Sequence, residues 1–450
     1  MSPSTPPQHQ PSAPSPRPDS GGPYVSIVTG AAEPMPKAGF LVVWGMALAQ
    51  FGLFVALLAP VTVSLAIKVG SLVPAAEAAA TTGGVLAAAA LVALVANPII
   101  GRLSDYTTSR FGRRRPWMVA GAIGFVLSLA LVALAPGVGL VLLGWALAQL
   151  FGNMILAPLL TTIADQIPER QRGTVSGNVG ITQNLGIMAA AYVALWFVGD
   201  MLLLFVVPAA FAALTVFVYC LVLPDRAITE KPDDGGWRLF VMTFWVNPAK
   251  HPDFAWVWVS RFLVTLSYFH FIVFRPFFLS DQVGLADPAE MAGVLANGVL
   301  INTIALVVFA KLGGWLSDRT GDRKGFVIAA TLVFALGIAL LAITHDVAMF
   351  YVVEVIMGIG YGIYVAVDTA LVVDVLPNPQ DASKDLGVLN IANALPQSLA
   401  GVVGAGLLAI GGGTQNYLAL FIGAGVIAVL GAVTIIPVRS RGRGARSAGA

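Results

Sequence analysis

The chain has few charged residues, and this scarcity limits the classes of protein to which it can belong. Only 11% of its 450 residues are Asp, Glu, Lys or Arg, whereas 57% are apolar. Soluble domains carry about 25% charged residues, so this chain cannot cover a globular surface with water-compatible side chains. The net charge of +2 comes from basic residues in short segments between apolar runs, and we expect no nucleic-acid partner.

Cysteine and histidine are also scarce. The single cysteine, Cys220, excludes an internal disulfide and a multi-cysteine metal site. His9, His251, His270 and His345 are scattered without metal-ligand spacing, and no glycine-rich phosphate loop follows a strand. We therefore expect no enzyme, no metal, no cofactor and no ATP-binding site in this chain.

Long apolar runs are abundant, and the mean hydropathy is +0.84. A membrane-spanning helix needs roughly 20 apolar residues. Twelve spans are predicted, near 39–66, 79–101, 117–135, 139–163, 174–198, 201–223, 254–279, 290–313, 326–344, 347–375, 384–411 and 416–437. This pattern predicts an all-α membrane protein.

Polar segments divide these spans into two groups of six. The segment 1–38 is rich in proline, serine and glycine, which is typical of a disordered tail. The linker contains 237–242, which could form an amphipathic helix on the membrane surface. The predicted organisation is a cytoplasmic tail (1–38), a six-helix bundle (39–223), a cytoplasmic linker (224–253), a second six-helix bundle (254–438) and a basic cytoplasmic tail (439–450).

The basic residues predict the orientation. All but three of the 25 Lys and Arg fall in the tails or in loops on one side; the exceptions are Lys68, Arg261 and Arg275. Excess Lys and Arg marks the cytoplasmic side. We therefore expect a multi-pass protein of the plasma membrane with both termini in the cytoplasm, acting as a monomer in the lipid bilayer.

A charged motif occurs once in each half. The segment 101–116 contains Gly-x-Leu-Ser-Asp followed by several arginines, and a shorter version occupies 314–323. Asp105 corresponds to Asp318 at an offset of 213 residues, and Asp165 corresponds to Asp374 at an offset of 209. Two landmarks at nearly one spacing predict a parallel internal repeat, as in known transporters.

The twelve spans and the doubled motif resemble the major facilitator superfamily. Within it, 105–116 is similar to the glycoside–pentoside–hexuronide cation symporters, with the sucrose–proton symporters as the nearest variant. The resemblance implies the major facilitator fold, with a substrate site between the halves and alternating access driven by an ion gradient. It implies a secondary active transporter of a small solute, coupled to a proton or another cation, with a sugar or glycoside as substrate.

The chain departs from both subgroups, however. Span 2 lacks the carboxylate pair of the sugar–sodium symporters, and spans 4 and 5 lack the internal acid and arginine of the sucrose–proton symporters. Acid on span 10 could have taken over coupling. Otherwise the chain could be a uniporter, an exporter of drugs, metabolites or lipid-like molecules, or a non-transporting membrane receptor of the same fold.

The motif residues are candidates for a conformational latch, a role that the resemblance assigns to this segment. A carboxylate at this position can pair with nearby guanidiniums and release them in another state. The alternative is a solvated basic loop that only fixes topology. The candidates are Asp105, Arg110, Arg113, Arg114, Arg115, Asp318 and Arg323.

Ionisable residues within a span are costly and are functional candidates by default. Span 7 carries Arg261, His270 and Arg275, and span 10 carries Glu354 and Asp368. Matched depths predict the pairs Arg261–Asp368 and Arg275–Glu354, with the second pair near the outer interface and either paired or exposed. Asp368 or Glu354 would bind the coupling proton or a cationic substrate group; the alternative is static pairing of the two helices. His270 could titrate or be a satisfied bundle residue.

Uncharged polar side chains form a second tier of candidates. Gln50, Gln149, Asn153, Tyr361 and Tyr364 belong to spans that, by the resemblance, line the cavity. They could bind a hydroxyl-rich substrate, or hold helices together at about 0.6 kcal/mol each. The same alternatives apply to Asn178, Gln183, Asn184, Asn390, Asn393 and Gln397.

Overall fold

A computed structural model describes residues 38–225, 246–376, 382–411 and 415–439, and these residues form helices without any strand. We number the helices α1 to α12 along the chain. Their bounds are α1 Phe40–Gly70, α2 Ala75–Asp105, α3 Arg115–Leu134, α4 Val138–Gln166, α5 Glu169–Phe197, α6 Met201–Val222, α7 Pro252–Asp281, α8 Pro288–Thr320, α9 Arg323–Leu340, α10 Val347–Asp374, α11 Ala382–Leu408 and α12 Tyr417–Val433.

Each helix coincides with one predicted span. Among the described residues, nine helices are long and apolar enough to cross a membrane, and the count is ten if the bent pair of segments within α11, Ile391–Gln397 and Leu399–Leu408, is one span. The apolar part of α5, Leu185–Phe197, and helix α12 are shorter. The tail up to residue 37, the linker residues 226–245 with the expected amphipathic segment, and residues 440–450 lie outside the described part of the chain.

The charged motif is helical at its start, so helices α2 and α8 end later than the predicted spans, which stop at 101 and 313. Helix α2 continues to Asp105 and α8 continues to Thr320, past Lys311 where the apolar run ends. The hydropathy of the side chains predicts where a helix leaves the membrane. The helix itself continues for as long as its backbone hydrogen bonds are kept. Helix α8 ends only at Gly321, whose φ of +75° is the left-handed conformation that stops helices.

The two halves repeat one packing arrangement. Helix α1 packs against α5 and α6, α2 against α4, and α3 against α4 and α6. In the second half α7 packs against α11 and α12, α8 against α10, and α9 against α10 and α12. Each pair recurs six helices later, which is a parallel repeat of the kind that transporters use.

The halves meet through α2 with α11 and α5 with α8. We call the end of the bundle where α1 begins and α12 ends the termini side, and the opposite end the far side. A Cβ on Gly401 would lie 2.0 Å from the Gly83 carbonyl oxygen, so only glycine allows this approach of backbones. The Tyr192 hydroxyl donates to Asn297 Oδ1 at 3.2 Å. These four residues lie in the far-side portions of their helices, so the halves are closed together at the far side.

Candidate functional site

Helices α7 and α10 run antiparallel and carry ionisable and aromatic residues at intervals of seven. Seven residues make nearly two helical turns, about 10.5 Å, so the three residues on each helix share one face. Their numbers also match in register, because the paired positions always add to the same value. We call this set the α7–α10 ladder: Arg261, Tyr268 and Arg275 on α7 with Asp368, Tyr361 and Glu354 on α10.

The first rung lies nearest the termini side. Arg261 Nε donates to Asp368 Oδ2 at 2.7 Å, and Arg261 Nη2 bonds the same oxygen. The Asp368 side chain is 1% exposed and that of Arg261 is 13% exposed. Asp368 Oδ1 is buried and has no hydrogen-bond partner. The predicted pair is present. Asp368 Oδ2 accepts two hydrogen bonds from Arg261, and Asp368 Oδ1 accepts none.

The middle rung is aromatic. The rings of Tyr268 and Tyr361 stack at a centroid distance of 3.9 Å with an angle of 5°. Tyr364 lies one turn closer to Asp368, and its ring centroid is 5.9 Å from that of Tyr361. The Tyr364 hydroxyl interacts electrostatically with Arg261 but makes no hydrogen bond of regular geometry. The stack fixes the spacing of α7 and α10 beside the first rung.

The last rung, Arg275 with Glu354, is almost completely buried, and we call it the sealed pair. Arg275 Nη1 donates to Glu354 Oε1 at 2.8 Å, and the two side chains are 4% and 0% exposed. The Arg275 guanidinium also lies over the Phe271 ring, 4.7 Å from its centroid. Asn302 Nδ2 donates to the Glu354 carbonyl at 3.0 Å. Of the two expected outcomes for this pair, pairing and exposure, the structure shows pairing within the protein.

His270 lies in this buried region but outside the ladder. It is 0% exposed, and its Nδ1 lies 2.6 Å from the Leu266 carbonyl oxygen one turn earlier. No group of three or more His, Cys, Asp or Glu side chains in the described ranges could hold a metal ion. This environment favours a structural role for His270 in the packing of the helices.

Among the uncharged candidates, Asn153 has hydrogen-bond partners within the protein, whereas Gln50 Oε1 has none among the described residues. Asn153 Oδ1 accepts from Asn97 Nδ2 at 2.8 Å, and Asn153 Nδ2 donates to the Gln149 carbonyl at 2.8 Å. The sequence analysis missed Asn97, although an amide inside span 2 was a visible signal. Gln50 is 2% exposed and its Oε1 has no partner.

The remaining polar candidates are only partly described. Asn393 is half-buried and Gln397 is exposed. The side chains of Asn178, Gln183, Asn184 and Asn390 lie outside the described part of the structure.

The first-half motif forms a charge cluster around Arg114, which is 2% exposed. Its guanidinium donates to Ser104 Oγ at 2.5 Å, to Asp105 Oδ1, and to Asp165 Oδ2 at 3.1 Å. Arg113 Nη2 pairs with the other Asp165 oxygen at 2.6 Å. The start of α3 is thereby joined to the ends of α2 and α4.

Asp225, which the sequence analysis did not single out, completes this cluster. Its Oδ2 accepts from the main-chain N–H groups of Arg114 and Arg115 at 2.7 and 2.9 Å, so it caps the start of α3. Arg115 Nη2 donates to the Leu223 carbonyl beyond α6. A Cβ on Gly112, whose φ is +98°, would overlap the Asp225 carboxylate.

The second half repeats this cluster with fewer charges. Arg323 Nη1 pairs with Asp374 Oδ2, and its Nη2 lies 3.5 Å from Asp318 Oδ1. Lys324 Nζ donates to carbonyls beyond α12, as Arg115 does beyond α6. Arg323 therefore corresponds to Arg114 at an offset of 209. The offset of 213 at the motif aspartates arises because the first-half connection before this arginine is four residues longer.

Arg110 does not join these contacts. Its side chain is exposed, and its guanidinium lies over the neighbouring Phe111 ring, 4.8 Å from the centroid. Within the described residues no acidic partner contacts it. The structure thus separates Arg110 from the other latch candidates.

Comparison with known proteins supports the repeated membrane fold. The model of the Major Facilitator Superfamily matches residues 39–312 and 299–449. The triacylglyceride transporter of Mycobacteroides abscessus is 26% identical over 354 residues, which are 64% of this chain and 66% of that protein. The aligned part thus spans slightly less than two thirds of that relative's length.

Solved transporter structures share the arrangement of helices. That of the nucleoside transporter NupG gives a TM-score of 0.69 at 16% identity, over 88% of this chain and 98% of its own. An inward-facing, unoccupied bacterial homologue of the human lysosomal transporter Spinster gives a TM-score of 0.66 at 16% identity, over 88% and 95%. These identities show the fold alone. The sequence match and the twelve-helix repeat together establish that the chain belongs to the Major Facilitator Superfamily and is a membrane transporter rather than an enzyme.

Proposed function

We propose that this transporter moves an amphipathic, lipid-like molecule and that the movement is coupled to a proton bound at Asp368. The single observation that carries the proposal is the first rung of the ladder, a buried carboxylate whose partner Arg261 keeps a solvent-accessible edge.

The candidate polar side chains of α4, α7 and α10 favour a lipid-like substrate over a sugar. A sugar needs several free hydrogen-bonding groups in its pocket. Asn153 is bonded to Asn97 and to the main chain. Arg275 is bonded to Glu354, and Tyr361 is stacked on Tyr268. Outside the sealed pair and His270, the buried candidate atoms in the described part of α1, α4, α7 and α10 that lack a regular hydrogen bond are Gln50 Oε1, the Tyr364 hydroxyl and Asp368 Oδ1. This is a small set for a hydroxyl-rich solute.

The relatives support the same choice. The Mycobacteroides abscessus protein and a relative from Mycolicibacterium smegmatis, each 26% identical, carry the name triacylglyceride transporter. The sugar or glycoside substrate that the motif resemblance implied receives no support from these relatives. A lipid-like substrate agrees with them and with the apolar surroundings of the ladder.

Coupling at Asp368 follows from charge balance. The Arg261–Asp368 pair is neutral as a unit, and protonation of Asp368 would leave a buried guanidinium without a counter-ion. Such a charge is costly away from water, so protonation favours any arrangement that gives Arg261 another partner. The static alternative fits the sealed Arg275–Glu354 pair better, because that pair is enclosed on all sides.

We further infer that both termini are cytoplasmic, in a plasma-membrane protein that acts as a monomer. In the described ranges the far side carries only Lys68 and Arg275 as basic residues, and both are buried. Lys68 Nζ bonds the Ala133 carbonyl near the end of α3. The other described Lys and Arg residues lie toward the termini side, which is the pattern of a cytoplasmic face.

A reconstitution assay tests this function. The full chain is placed in liposomes, and transfer of fluorescent neutral and anionic lipids is compared with uptake of radiolabelled sucrose and nucleosides, with and without a pH gradient. We expect gradient-dependent lipid transfer that Asp368→Asn abolishes. The matched control is Thr369→Val, because the exposed Thr369 hydroxyl bonds only the Val365 carbonyl of its own helix.

Three outcomes would contradict the proposal. Uptake of sucrose without lipid transfer would reject the substrate class. Lipid transfer that an uncoupler or Asp368→Asn leaves unchanged would reject proton coupling at this residue. A chain that binds labelled lipid but moves none would be a non-transporting receptor.

A further inference from the structure

We infer that Arg261 binds the anionic head group of an amphipathic substrate in place of Asp368, which takes up one proton in the exchange. The inference rests on the proposed function and narrows its substrate to a lipid-like molecule with an oxyanion, a carboxylate or a phosphate, at one end.

Accessibility distinguishes Arg261 from the other ladder arginine. The Arg261 side chain is 13% exposed, against 4% for Arg275. Arg261 also lies toward the termini side, whereas the halves are closed together at the far side by Gly83 and Gly401. A head group entering from the termini side reaches the first rung before the aromatic stack and the sealed pair.

Two buried polar atoms without a regular hydrogen bond flank this guanidinium. Asp368 Oδ1 makes no hydrogen bond, and the Tyr364 hydroxyl has only an irregular contact with Arg261, although the two residues are 1% and 3% exposed. Buried polar groups in proteins nearly always have partners. A bound oxyanion would accept from Arg261, from the Tyr364 hydroxyl and from protonated Asp368, so Arg261 would exchange one anionic partner for another while the other two groups would gain a regular hydrogen bond.

Charge balance makes the anion and the proton enter together. The pair starts as one guanidinium and one carboxylate, with no net charge. An anion alone would leave one negative charge in the site, and a proton alone would leave one positive charge. Because an uncompensated buried charge is costly, the favoured bound state contains Arg261 paired with the substrate anion and Asp368 as the neutral acid. No covalent bond forms or breaks apart from the O–H bond on Asp368.

Within the described residues, the titratable groups that act on Arg261 are Asp368, Tyr361 and Tyr364. On the helices packed against α10, Lys311 of α8 is exposed, and Arg323 of α9 is bound to Asp374.

The middle rung of the ladder, the stacked pair Tyr268 and Tyr361, offers apolar surface for the rest of the substrate. Tyr268 and Tyr361 are only half-buried, and their stacked rings adjoin Phe334, whose centroid is 5.7 Å from that of Tyr361. Aromatic rings supply large apolar contact areas. A head group at Arg261 would therefore place the adjoining part of its chain against the stack.

Binding by the full chain in neutral-lipid nanodiscs tests the exchange. Calorimetry with dodecanoate, dodecyl phosphate and the neutral 1-monododecanoylglycerol is run in two buffers of different ionisation enthalpy, which reports the protons taken up. We expect the anionic probes to bind at least about tenfold more tightly than the neutral one, with about one proton taken up. Their affinity then falls about tenfold per pH unit as the pH rises.

Variants assign these effects to the first rung. Arg261→Gln should remove the preference for the anionic probes, whereas Arg261→Lys, which keeps the charge and guards against a folding defect, should retain part of it. Asp368→Asn should bind the anions without proton uptake. The matched control is the double variant Arg275→Met with Glu354→Leu, which removes the sealed pair and should leave anion binding and proton uptake unchanged.

The possible results separate this inference from the proposed function. Anion binding that survives Arg261→Gln, or that takes up no proton in the wild-type protein, overturns the exchange even if proteoliposomes still transfer lipid. Absence of any lipid transfer in proteoliposomes instead rejects the proposed function. Preference for dodecanoate over dodecyl phosphate, or the reverse, supports the exchange and identifies the head group.

Discussion

Replacing Glu354 by Gln should destabilise the protein more than replacing Asp368 by Asn. Both changes are close to isosteric, and both remove the carboxylate of an arginine pair that joins the same two helices. They differ in what happens to the arginine that remains. The comparison therefore isolates the effect of side-chain exposure on a charge that has lost its partner.

The structure sets the expected magnitudes. Glu354→Gln leaves Arg275 charged in surroundings where its side chain is 4% exposed. Breaking one partner of a buried pair costs about 3–5 kcal/mol, and the contact of the guanidinium with the Phe271 ring is present in both forms, so it does not change this difference. After Asp368→Asn, Arg261 remains less enclosed than Arg275, because its side chain is 13% exposed, so we expect a smaller cost of about 1–3 kcal/mol.

Reversible unfolding in mixed detergent micelles with increasing dodecyl sulfate measures these differences. The double variant Glu354→Leu with Arg275→Met removes both charges together. It should be nearly as stable as the wild-type protein, because apolar replacement of a whole buried pair is often nearly neutral. Equal costs for the two single variants would refute the argument from exposure. A double variant as unstable as Glu354→Gln would show that the cost is one of packing and not of charge.

Two further predictions concern the contact between the halves and the charge cluster. Gly401→Ala places a Cβ 2.0 Å from the Gly83 carbonyl oxygen and should separate the two halves at the far side. Maleimide labelling of a cysteine introduced at the far side should therefore increase. The control Gly406→Ala on the same helix, whose Cβ would meet no other helix within 4 Å, should leave the labelling unchanged. Arg114→Gln should cost about 1–3 kcal/mol in the same unfolding assay because it leaves carboxylates without donors, whereas Arg110→Gln should change stability by less than about 0.5 kcal/mol. Equal effects of these last two variants would reject the assignment of Arg114 as the centre of the cluster.

The sequence predicted the fold well because membrane helices are governed by one dominant requirement. Each crossing must bury a long apolar run with its backbone bonds satisfied internally, so the number and order of α1 to α12 could be read from hydropathy. The ends were less certain. Helix α8 continues past Lys311 to Gly321, because backbone hydrogen bonding persists where the membrane has ended.

The ladder pairs could be predicted for a related reason. A helix rises by a fixed amount per residue, so the depths of Arg261 and Asp368 follow from their distances to the ends of their spans. The same count placed Arg275 at the depth of Glu354. The stacking of Tyr268 obeys the same register, and its position seven residues from each arginine was a visible signal.

Only the tertiary structure shows which side of a helix each charged residue occupies and which neighbours it contacts. Arg110 and Arg114 belong to one basic run, yet only Arg114 is buried among carboxylates. Asp225 joins that cluster from the end of α6, more than a hundred residues away in sequence. A sequence fixes how far along a helix each residue lies, but the rotation of that helix and its neighbours depend on packing.

By itself, then, the sequence determined twelve membrane helices, a tandem repeat and the depth of each buried charge, because hydropathy and helical rise act locally. The tertiary structure decided which rung of the ladder is sealed and which arginine keeps an exposed edge. It also decided that the halves close at Gly83 and Gly401. Those features arise from contacts between helices distant in the chain, and no local pattern encodes them.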